Sequence, residues 1–300
     1  MRITIVANPV AGRRGAASLD APAGALRQAG HDVDVCWSEG AEHCGELAAR
    51  AAERGAEAVF AAGGDGTISQ VMRGVLNTGA ALGIIPYGTG NDFCLAAGIS
   101  QDPLKAARQL AHGRIGRVDV GWVGPDRRPF INIAGIGLDA AVAVLFERLR
   151  WPLAGNALGY VAGVVFTVSR TRPAHYRLRI DDAVIETDAW LVPVCNAISY
   201  ARGMRIAPSA RINDGKLDVC VVAGIGRATL LRHLPKVFTG AHVGHPAFRL
   251  YEAERVRVEA DPPQPVMVDG DPYGQTPMEF GILPGALRMI LPAEPGEAET

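Results

Sequence analysis

The segment 58–67, with the sequence AVFAAGGDGT, constrains the fold of this chain more strongly than the rest. Its apolar first half predicts a buried strand, residues 63–67 predict a tight turn, and the amphipathic stretch 68–76 predicts a helix. Three glycines allow the backbone to adopt positive φ values and to approach a ligand closely. The N-terminus of the helix favours an anion, most often phosphate, and Asp65 beside it implies a metal ion or a hydroxyl group. For a Gly-Gly pair alone, a well-packed turn without a ligand is the alternative.

The first 117 residues alternate predicted strands with predicted helices. A helix follows each of four predicted strands, which are 2–7, 32–36, 58–62 and 82–85. This alternation predicts a doubly wound parallel sheet, in which ligands bind outside the carboxyl ends of the strands. Turns of small residues follow three of these strands, so we expect them to form one crevice; the turns are 8–14, 63–67 and 88–92.

The pattern changes near residue 118, where short strands and turns become frequent. The predicted strands are 117–123, 130–134, 176–180, 190–195, 217–222 and 255–259. Helices are fewer, and we predict them at 140–149, 151–169 and 227–238. We therefore predict an α/β domain over 1–117, completed by 283–300, and a β-rich, sandwich-like domain over 118–282.

Composition and charge restrict the class of protein. Thirty lysines and arginines nearly balance 31 aspartates and glutamates, which gives no indication of a nucleic-acid partner. Five cysteines without a C-x-x-C pair suit a reducing cytoplasm, and the N-terminus begins a strand instead of a signal peptide. The uncharged segment 151–169 is flanked by arginines, but Pro152, Asn156 and three glycines favour a buried or interface-lining helix over a membrane span.

Three other motifs do not support a function by themselves. The chain lacks the P-loop sequence G-x-x-x-x-G-K-[ST]. Residues 135–140, GIGLDA, fit the dinucleotide fingerprint, but no acid follows between Glu147 and Asp181, so we interpret them as a packing turn. His242 and His245 lack a third ligand, and we interpret them as packing or surface residues.

Several motifs occur together in one order. The element at 63–67 is followed by PYGTGNDF at 86–93, and Asn8-Pro9 with Gly12 precedes both. NDGKLD at 213–218 and VDGD at 268–271 come later. This set resembles the diacylglycerol-kinase catalytic-domain family, which includes bacterial soluble lipid kinases and the sphingosine kinases. The element at 63–67 is shared with NAD kinases and phosphofructokinases, whereas 86–93 is typical of the lipid-kinase branch.

The resemblance implies a kinase that depends on ATP and Mg²⁺ and phosphorylates a hydroxyl group of a membrane lipid such as diacylglycerol. Asp65 would lie near the phosphates and the magnesium, and Asp271 would accept the hydroxyl proton. A second Mg²⁺ would be held by the Asp214 carboxylate and the carbonyl groups of Arg211 and Lys216. The family's ATP-binding residues correspond to Asn8, Pro9, Gly12, Ser38, Gly63, Gly64, Asp65, Gly66, Thr67 and Thr89.

The chain departs from the family pattern at several positions. Ser69-Gln70 stands where the family often has Asn-Glu, Ala11 replaces a common serine, and Asp271 is one methylene shorter than the usual glutamate. The 213–215 and 269–271 segments are also plausible hairpin turns. A soluble-substrate kinase of the NAD-kinase type and a nucleotide-binding protein without catalysis are the alternatives. We expect a cytoplasmic protein that contacts the inner face of the membrane transiently, and we leave a homodimer open.

Overall fold

The computed structural model describes residues 1–9, 19–149, 157–201 and 203–293. The N-terminal half alternates strands and helices, as predicted. In chain order the elements are β1 (Arg2–Ala7), α1 (Asp20–Gln28), β2 (Asp32–Trp37), α2 (Ala41–Glu53), β3 (Ala58–Gly63), α3 (Asp65–Val75), β4 (Ala81–Pro86), α4 (Asp92–Ala96) and α5 (Pro103–Ala111). Helix α3 begins three residues before the predicted start, so the turn after β3 is shorter than expected.

The strands of this half form a parallel sheet in the order β4-β3-β1-β2. Residues on both faces of β3 and β4 are buried, which explains why both strands are continuous apolar runs. Helix α1 packs against α5, and α2 packs against α3. All carboxyl ends of the parallel strands lie at one edge, where the predicted crevice is located.

The C-terminal half is rich in antiparallel strands. Its elements are β5 (Arg114–Val123), β6 (Arg128–Phe130), β7 (Ile133–Ile136), α6 (Leu138–Leu149), α7 (Ala157–Arg170), β8 (Ala174–Ile180), β9 (Ala183–Leu191), β10 (Val194–Cys195), β11 (Leu217–Ala223), α8 (Arg227–Val237), a 3-10 helix (Ala241–Gly244), β12 (Phe248–Ala253), β13 (Arg255–Asp261), β14 (Pro265–Val268), β15 (Asp271–Gln275) and β16 (Met278–Leu291). The predicted fold class, an α/β half followed by a β-rich half, is confirmed.

Two predicted strands were wrong in detail. The predicted strand 130–134 is split between β6 and β7, and 190–195 is split between β9 and β10. Strand β16, which was not among the predicted strands, joins the two halves. It pairs antiparallel with β5 and β13, and at Met289 it pairs parallel with Leu82 of β4. The predicted boundary between residues 117 and 118 falls inside β5, so the two halves share one continuous sheet.

Separate clusters of buried side chains stabilise the two halves. One cluster fills the space around the parallel sheet, a second lies among the antiparallel strands, and a third lies beneath α6, α7 and α8. Helix α7 corresponds to the C-terminal part of the uncharged segment, whereas 150–156 lies outside the described residues. Across the described ranges, no helix has the length and apolar character needed to cross a bilayer.

Candidate active site

Two of the three glycines in the turn, Gly63 and Gly64, are required by lack of space rather than by positive φ. Gly64 is the residue before α3 and has extended backbone angles, with φ −95° and ψ −171°. Gly63 and Gly66 also have no positive φ, so the predicted positive φ values were wrong. A Cβ on Gly63 would lie 2.3 Å from Oγ1 of Thr67, and a Cβ on Gly64 would lie 3.0 Å from the Cα of Gly88. Gly63 and Gly64 are needed because two turns and a helix approach each other closely, whereas a Cβ on Gly66 would meet nothing within 4 Å.

At the carboxyl edge, the turn after β3 contacts both Asn8 of the first turn and the turn after β4. The Nδ2 of Asn8 donates a hydrogen bond to the Oγ1 of Thr67 at 3.2 Å, and the N–H of Asn8 donates to the carbonyl of Ala62 at 3.1 Å. Gly64 and Gly88 bring the turn after β3 against the turn after β4. Asn8 of the first predicted turn and the second and third predicted turns therefore lie around one place above the sheet, whereas residues 10–14 of the first turn lie outside the described residues.

The other predicted ATP-binding residues differ in their exposure. Pro9 and Thr89 are exposed, and Gly12 lies outside the described residues. Ser38 is buried at the end of β2, beside the thiol of Cys44. Its hydroxyl finds no nitrogen or oxygen partner within the described chain. A buried hydroxyl without such a partner is compatible with a ligand contact.

Asp65 is the first residue of α3 and lines a cavity of about 320 Å³. Its Oδ1 accepts a hydrogen bond from the N–H of Phe93 at 3.3 Å. Burial, followed by the charge of Asp92, raises the pKa of Asp65 to about 6. A carboxyl group with this pKa is ionised at neutral pH and is still basic enough to accept a proton from a hydroxyl group.

The cavity between the two halves is acidic. Four aspartates line it, and its described lining contains no lysine, arginine or histidine; the aspartates are Asp65, Asp92, Asp139 and Asp269. Asp92 also links the halves, because its Oδ1 accepts a hydrogen bond from the N–H of Gly203 at 2.6 Å. An anionic ligand here needs cations to offset the carboxylates, or must place its neutral groups beside them.

Asp139 lies where the acidic cavity meets a second, apolar cavity. It lines both, together with Val142 and Tyr200. The apolar cavity is small, about 60 Å³, and its other lining side chains come mainly from α7, α8 and the strands beneath them. Burial raises the pKa of Asp139 to about 6. Its Oδ2 is buried and has no hydrogen-bond partner within the described chain.

The GIGLDA segment, interpreted above as a packing turn, is the junction between β7 and α6. A Cβ on Gly135 would lie 2.5 Å from Oδ2 of Asp139, and Gly137 has φ +96°. The glycines allow the buried carboxylate to lie directly over the backbone. Asp139 was not among the predicted site residues, although one signal was present in the sequence: Asp139 is the single charged residue in the apolar stretch 132–146.

Asp271 and Asp269 have different surroundings. Asp271 is half-exposed and forms a 3.0 Å ion pair with Arg128, and it does not line either cavity. Asp269 lines the acidic cavity, and its carboxylate accepts hydrogen bonds from Ser69, Ile131 and Asn132. The structure therefore brings Asp65 and Asp269 together, whereas Asp271 lies to one side. Asp92 and Asp269 were quoted within motifs but were not assigned a role.

The predicted metal ligands lie together on the turn before β11. Asp214 is exposed, and its Oδ1 accepts a hydrogen bond from the N–H of Lys216 at 3.1 Å. Lys216 is ion-paired with Glu252, and Gly215 donates its N–H to the buried Asp119 at 2.7 Å. One carboxylate and two carbonyl oxygens, those of Arg211 and Lys216, are ligands of the type that Mg²⁺ takes along with water. No group of three or more His, Cys, Asp or Glu able to hold a metal occurs within the described ranges.

Comparisons with known proteins agree with this architecture. Residues 2–123 match the model of the diacylglycerol kinase catalytic domain, and residues 132–291 match the YegS C-terminal NAD kinase beta sandwich-like domain. A protein named diacylglycerol kinase from Mycobacterium tuberculosis is 33% identical, with 97% of this chain and 95% of that protein covered. A protein of the same name from Bacillus subtilis is 30% identical, with 91% and 90% covered.

Solved structures give the same fold. The crystal structure of a putative diacylglycerol kinase from Bacillus anthracis superposes with a TM-score of 0.79, covers 97% of this chain and 96% of that chain, and is 24% identical. A second Bacillus anthracis structure of a putative diacylglycerol kinase has a TM-score of 0.78 at 22% identity, and each chain is 97% covered. At this level of identity the match concerns the fold.

Proposed function

Because the chain belongs to the diacylglycerol kinase catalytic-domain family, we propose that it transfers the γ-phosphoryl group of ATP to a hydroxyl group of a membrane lipid such as diacylglycerol, with Mg²⁺. The observation that carries this proposal is the junction at Asp139. There an acidic cavity beside the glycine turn meets an apolar cavity beneath α7 and α8. A lipid that carries a hydroxyl group matches this pair of cavities, because its hydroxyl group would lie in the acidic cavity and its apolar part in the apolar cavity.

ATP would be held by the three turns at the carboxyl edge of the parallel sheet. Asn8 and Thr67 are already joined there, and Gly64 and Gly88 leave no Cβ between the turns. Backbone N–H groups at the start of α3 are available for phosphate oxygens. Gly12, Pro9, Ser38, Gly66 and Thr89 complete the proposed set.

The acceptor hydroxyl would approach Asp139 and lose its proton to Asp65. The hydroxyl has a single proton, so it would first donate a hydrogen bond to the unpartnered Oδ2 of Asp139 as it binds, and would then turn that proton to Asp65 for transfer. Asp65 lines the same cavity and has a raised pKa, which suits a general base. Asp271, proposed as the base on resemblance alone, is paired with Arg128, so the geometry favours Asp65.

Mg²⁺ would supply positive charge against the phosphate oxygens. The acidic cavity lacks a cationic side chain in its described lining, so a bound cation fits its electrostatics. The turn of Arg211, Asp214 and Lys216 offers oxygen ligands for a second ion and, through Gly215 and Asp119, is fastened to β5. We propose a structural role for that ion.

The acyl chains would remain largely outside the protein. The apolar cavity is small, but an apolar groove of about 260 Å³ shares Leu231 and Leu234 with it and opens at the surface. Val161, Val165 and Phe238 line the groove and are exposed. Residues 148–180 and 219–251 contain no aspartate or glutamate. This apolar and basic face fits a bilayer with anionic head groups, so we propose peripheral membrane contact through α7 and α8.

The proposal is tested by incubating the protein with labelled ATP, Mg²⁺ and a total lipid extract, then identifying the labelled lipid. Pure diacylglycerol and NAD are assayed in parallel. Label in a lipid, at a rate that exceeds label in NAD, supports the proposal. Label in NAD alone would assign a soluble-substrate kinase. ATP binding without transfer to either acceptor would assign a nucleotide-binding protein without catalysis.

A further inference from the structure

Helix α3 presents a polar stripe to the C-terminal half. Asp65, Ser69 and Arg73 are spaced four residues apart and therefore lie on one face of the helix. Ser69 donates a hydrogen bond from Oγ to Oδ2 of Asp269 at 2.7 Å. Arg73 donates from Nε to the carbonyl of Pro129 at 3.2 Å. The same face that carries Asp65 into the cavity is thus fastened to residues of the other half.

Asp269 connects this helix to the segment that leads to Asp139. Its carboxylate accepts hydrogen bonds from the N–H groups of Ile131 at 3.0 Å and Asn132 at 2.9 Å, in addition to Ser69. The N–H of Asp269 donates to the carbonyl of Ile133 at 3.0 Å. Residues 133–136 form β7, and Asp139 follows in the first turn of α6. One carboxylate therefore joins α3, the helix of Asp65, to residues 131–132, which lead through β7 to Asp139.

We propose that Ser69 is a positioning residue for phosphoryl transfer, which through Asp269 holds Asp65 at a fixed place relative to Asp139 across the acidic cavity. This inference rests on the proposed function. Ser69 is 2% exposed, so water does not replace its hydrogen bond readily. Its acceptor is a carboxylate, and hydrogen bonds to charged groups are stronger than those between neutral groups.

The hydrogen bond to Asp269 needs a donor at position 69, and an asparagine side chain also carries an N–H donor. A hydroxyl group therefore provides the donor here. Threonine and asparagine at position 69 retain a donor toward Asp269, whereas alanine removes it and leaves the helix otherwise unchanged.

The test compares Ser69→Ala with Ser69→Thr, Ser69→Asn and the control Thr78→Ala. Thr78 follows α3 and donates its hydroxyl hydrogen to Val75 within the same half. We expect Ser69→Ala to lower kcat for the lipid acceptor by about tenfold or more, while the Kd for ATP changes less than about twofold. At least one of the two donor-retaining variants should restore kcat, and Thr78→Ala should leave it unchanged.

A second readout does not depend on the proposed function. In hydrogen exchange, Ser69→Ala should speed exchange in peptides covering 128–136 as well as 65–76, whereas Thr78→Ala should affect only the end of α3. Unchanged exchange at 128–136 would overturn the proposed connection, even if the wild-type protein phosphorylates no lipid. Full kcat in Ser69→Ala, equal losses of kcat and ATP affinity, or no recovery in either donor-retaining variant would overturn the positioning role.

Discussion

Gly64 and Gly88 face each other so closely that Gly88 has no room for a side chain and a Cβ on Gly64 would be in tight contact with Gly88. A Cβ on Gly88 would lie 2.5 Å from the Cα of Gly64 and 2.6 Å from Oδ1 of Asn91. Asn91 in turn accepts a hydrogen bond from the N–H of Gly88 at 2.8 Å, which fixes the turn after β4. The contact joins two loops that follow neighbouring parallel strands. The shape of the proposed phosphate site depends on it.

Gly88→Ala should therefore weaken ATP binding. The added methyl group meets backbone atoms that have no free space, so the two turns must separate, at a cost of about 1–3 kcal/mol. We expect ATP affinity to fall about tenfold or more in isothermal titration calorimetry, and Gly64→Val to act in the same direction. Gly79→Ala is the matched control, because nothing lies within 4 Å of its Cβ position. Wild-type ATP affinity in a folded Gly88→Ala protein would contradict the assignment.

Asp65→Asn and Asp271→Asn should differ in their effect on turnover. General base catalysis typically contributes about 10²–10⁴-fold, so we expect kcat of Asp65→Asn to fall within that range while the protein still binds ATP. Asp271→Asn removes one charge of a partly exposed ion pair with Arg128 outside the two cavities. Its kcat should stay within about threefold of wild type, and Asp271→Glu should also be active. The reverse order of losses would restore Asp271 as the base.

The pH dependence of turnover offers an independent check on Asp65. The base acts in its ionised form, so kcat/KM should rise as pH increases through about 6, the raised pKa of Asp65. Asp139 has a similar pKa, so Asp139→Asn is the control. If the rise in kcat/KM belongs to Asp65, it should still occur near pH 6 in this variant. A rise near pH 4, the ordinary value of an aspartate, would contradict the role of Asp65.

The sequence predicted the parallel half of the fold better than the site. Alternating apolar runs and helices are local patterns, and they located β1 to β4 within a residue or two. The buried state of Asp139 and the hydrogen bonds of Asp269 arise from segments more than a hundred residues apart, and local patterns do not encode them. The glycines at 63 and 64 correctly indicated a tight turn, but positive φ was the wrong reason for them. Close approach at Gly63 and Gly64 is a tertiary contact, whereas positive φ is a local property.

Asp139→Asn should stabilise the protein while impairing turnover. Burial raises the pKa of Asp139 from 3.8 to about 6. The unfolded chain therefore ionises first, and the wild-type protein loses stability as pH rises from about 4 through about 6. An asparagine does not ionise, so at pH 7.5 the variant should be more stable by on the order of 1–3 kcal/mol. Thermal unfolding at pH 7.5 and pH 4 measures this, and the gain should vanish at pH 4.

Asp139→Asn also tests whether the buried carboxylate, which lowers the stability of the fold at pH 7.5, is needed to bind the lipid. If Asp139 orients the lipid hydroxyl, its loss should raise the KM for the lipid or lower kcat, with ATP affinity unchanged. Equal stability of the two proteins at pH 7.5 would show that the carboxyl group is not desolvated. Wild-type lipid kinetics in the variant would show that the junction of the cavities does not bind the acceptor.

The exposed valines and phenylalanine beside the apolar groove should bind the bilayer. Val161, Val165 and Phe238 are each more than two-fifths exposed on α7 and after α8. Their triple replacement by serine should weaken binding to phosphatidylcholine vesicles containing phosphatidylglycerol by roughly tenfold to a hundredfold, because full burial of such a side chain contributes about 1.5–3 kcal/mol. Vesicle co-sedimentation measures the change. Val184→Ser is the control, since Val184 is 52% exposed on β9, away from the groove.

Salt separates the apolar part of this contact from the charged part. Arg232 and Lys236 are exposed on α8, and no acid lies within 219–251 to offset them. Binding of the wild-type protein should therefore weaken as ionic strength rises, because the Debye length falls to about 3 Å at 1 M salt. The triple variant should retain this salt dependence at its lower affinity. If the triple variant and Val184→Ser bind vesicles equally well, α7 and α8 do not form the membrane contact, and the lipid must reach Asp139 by another route.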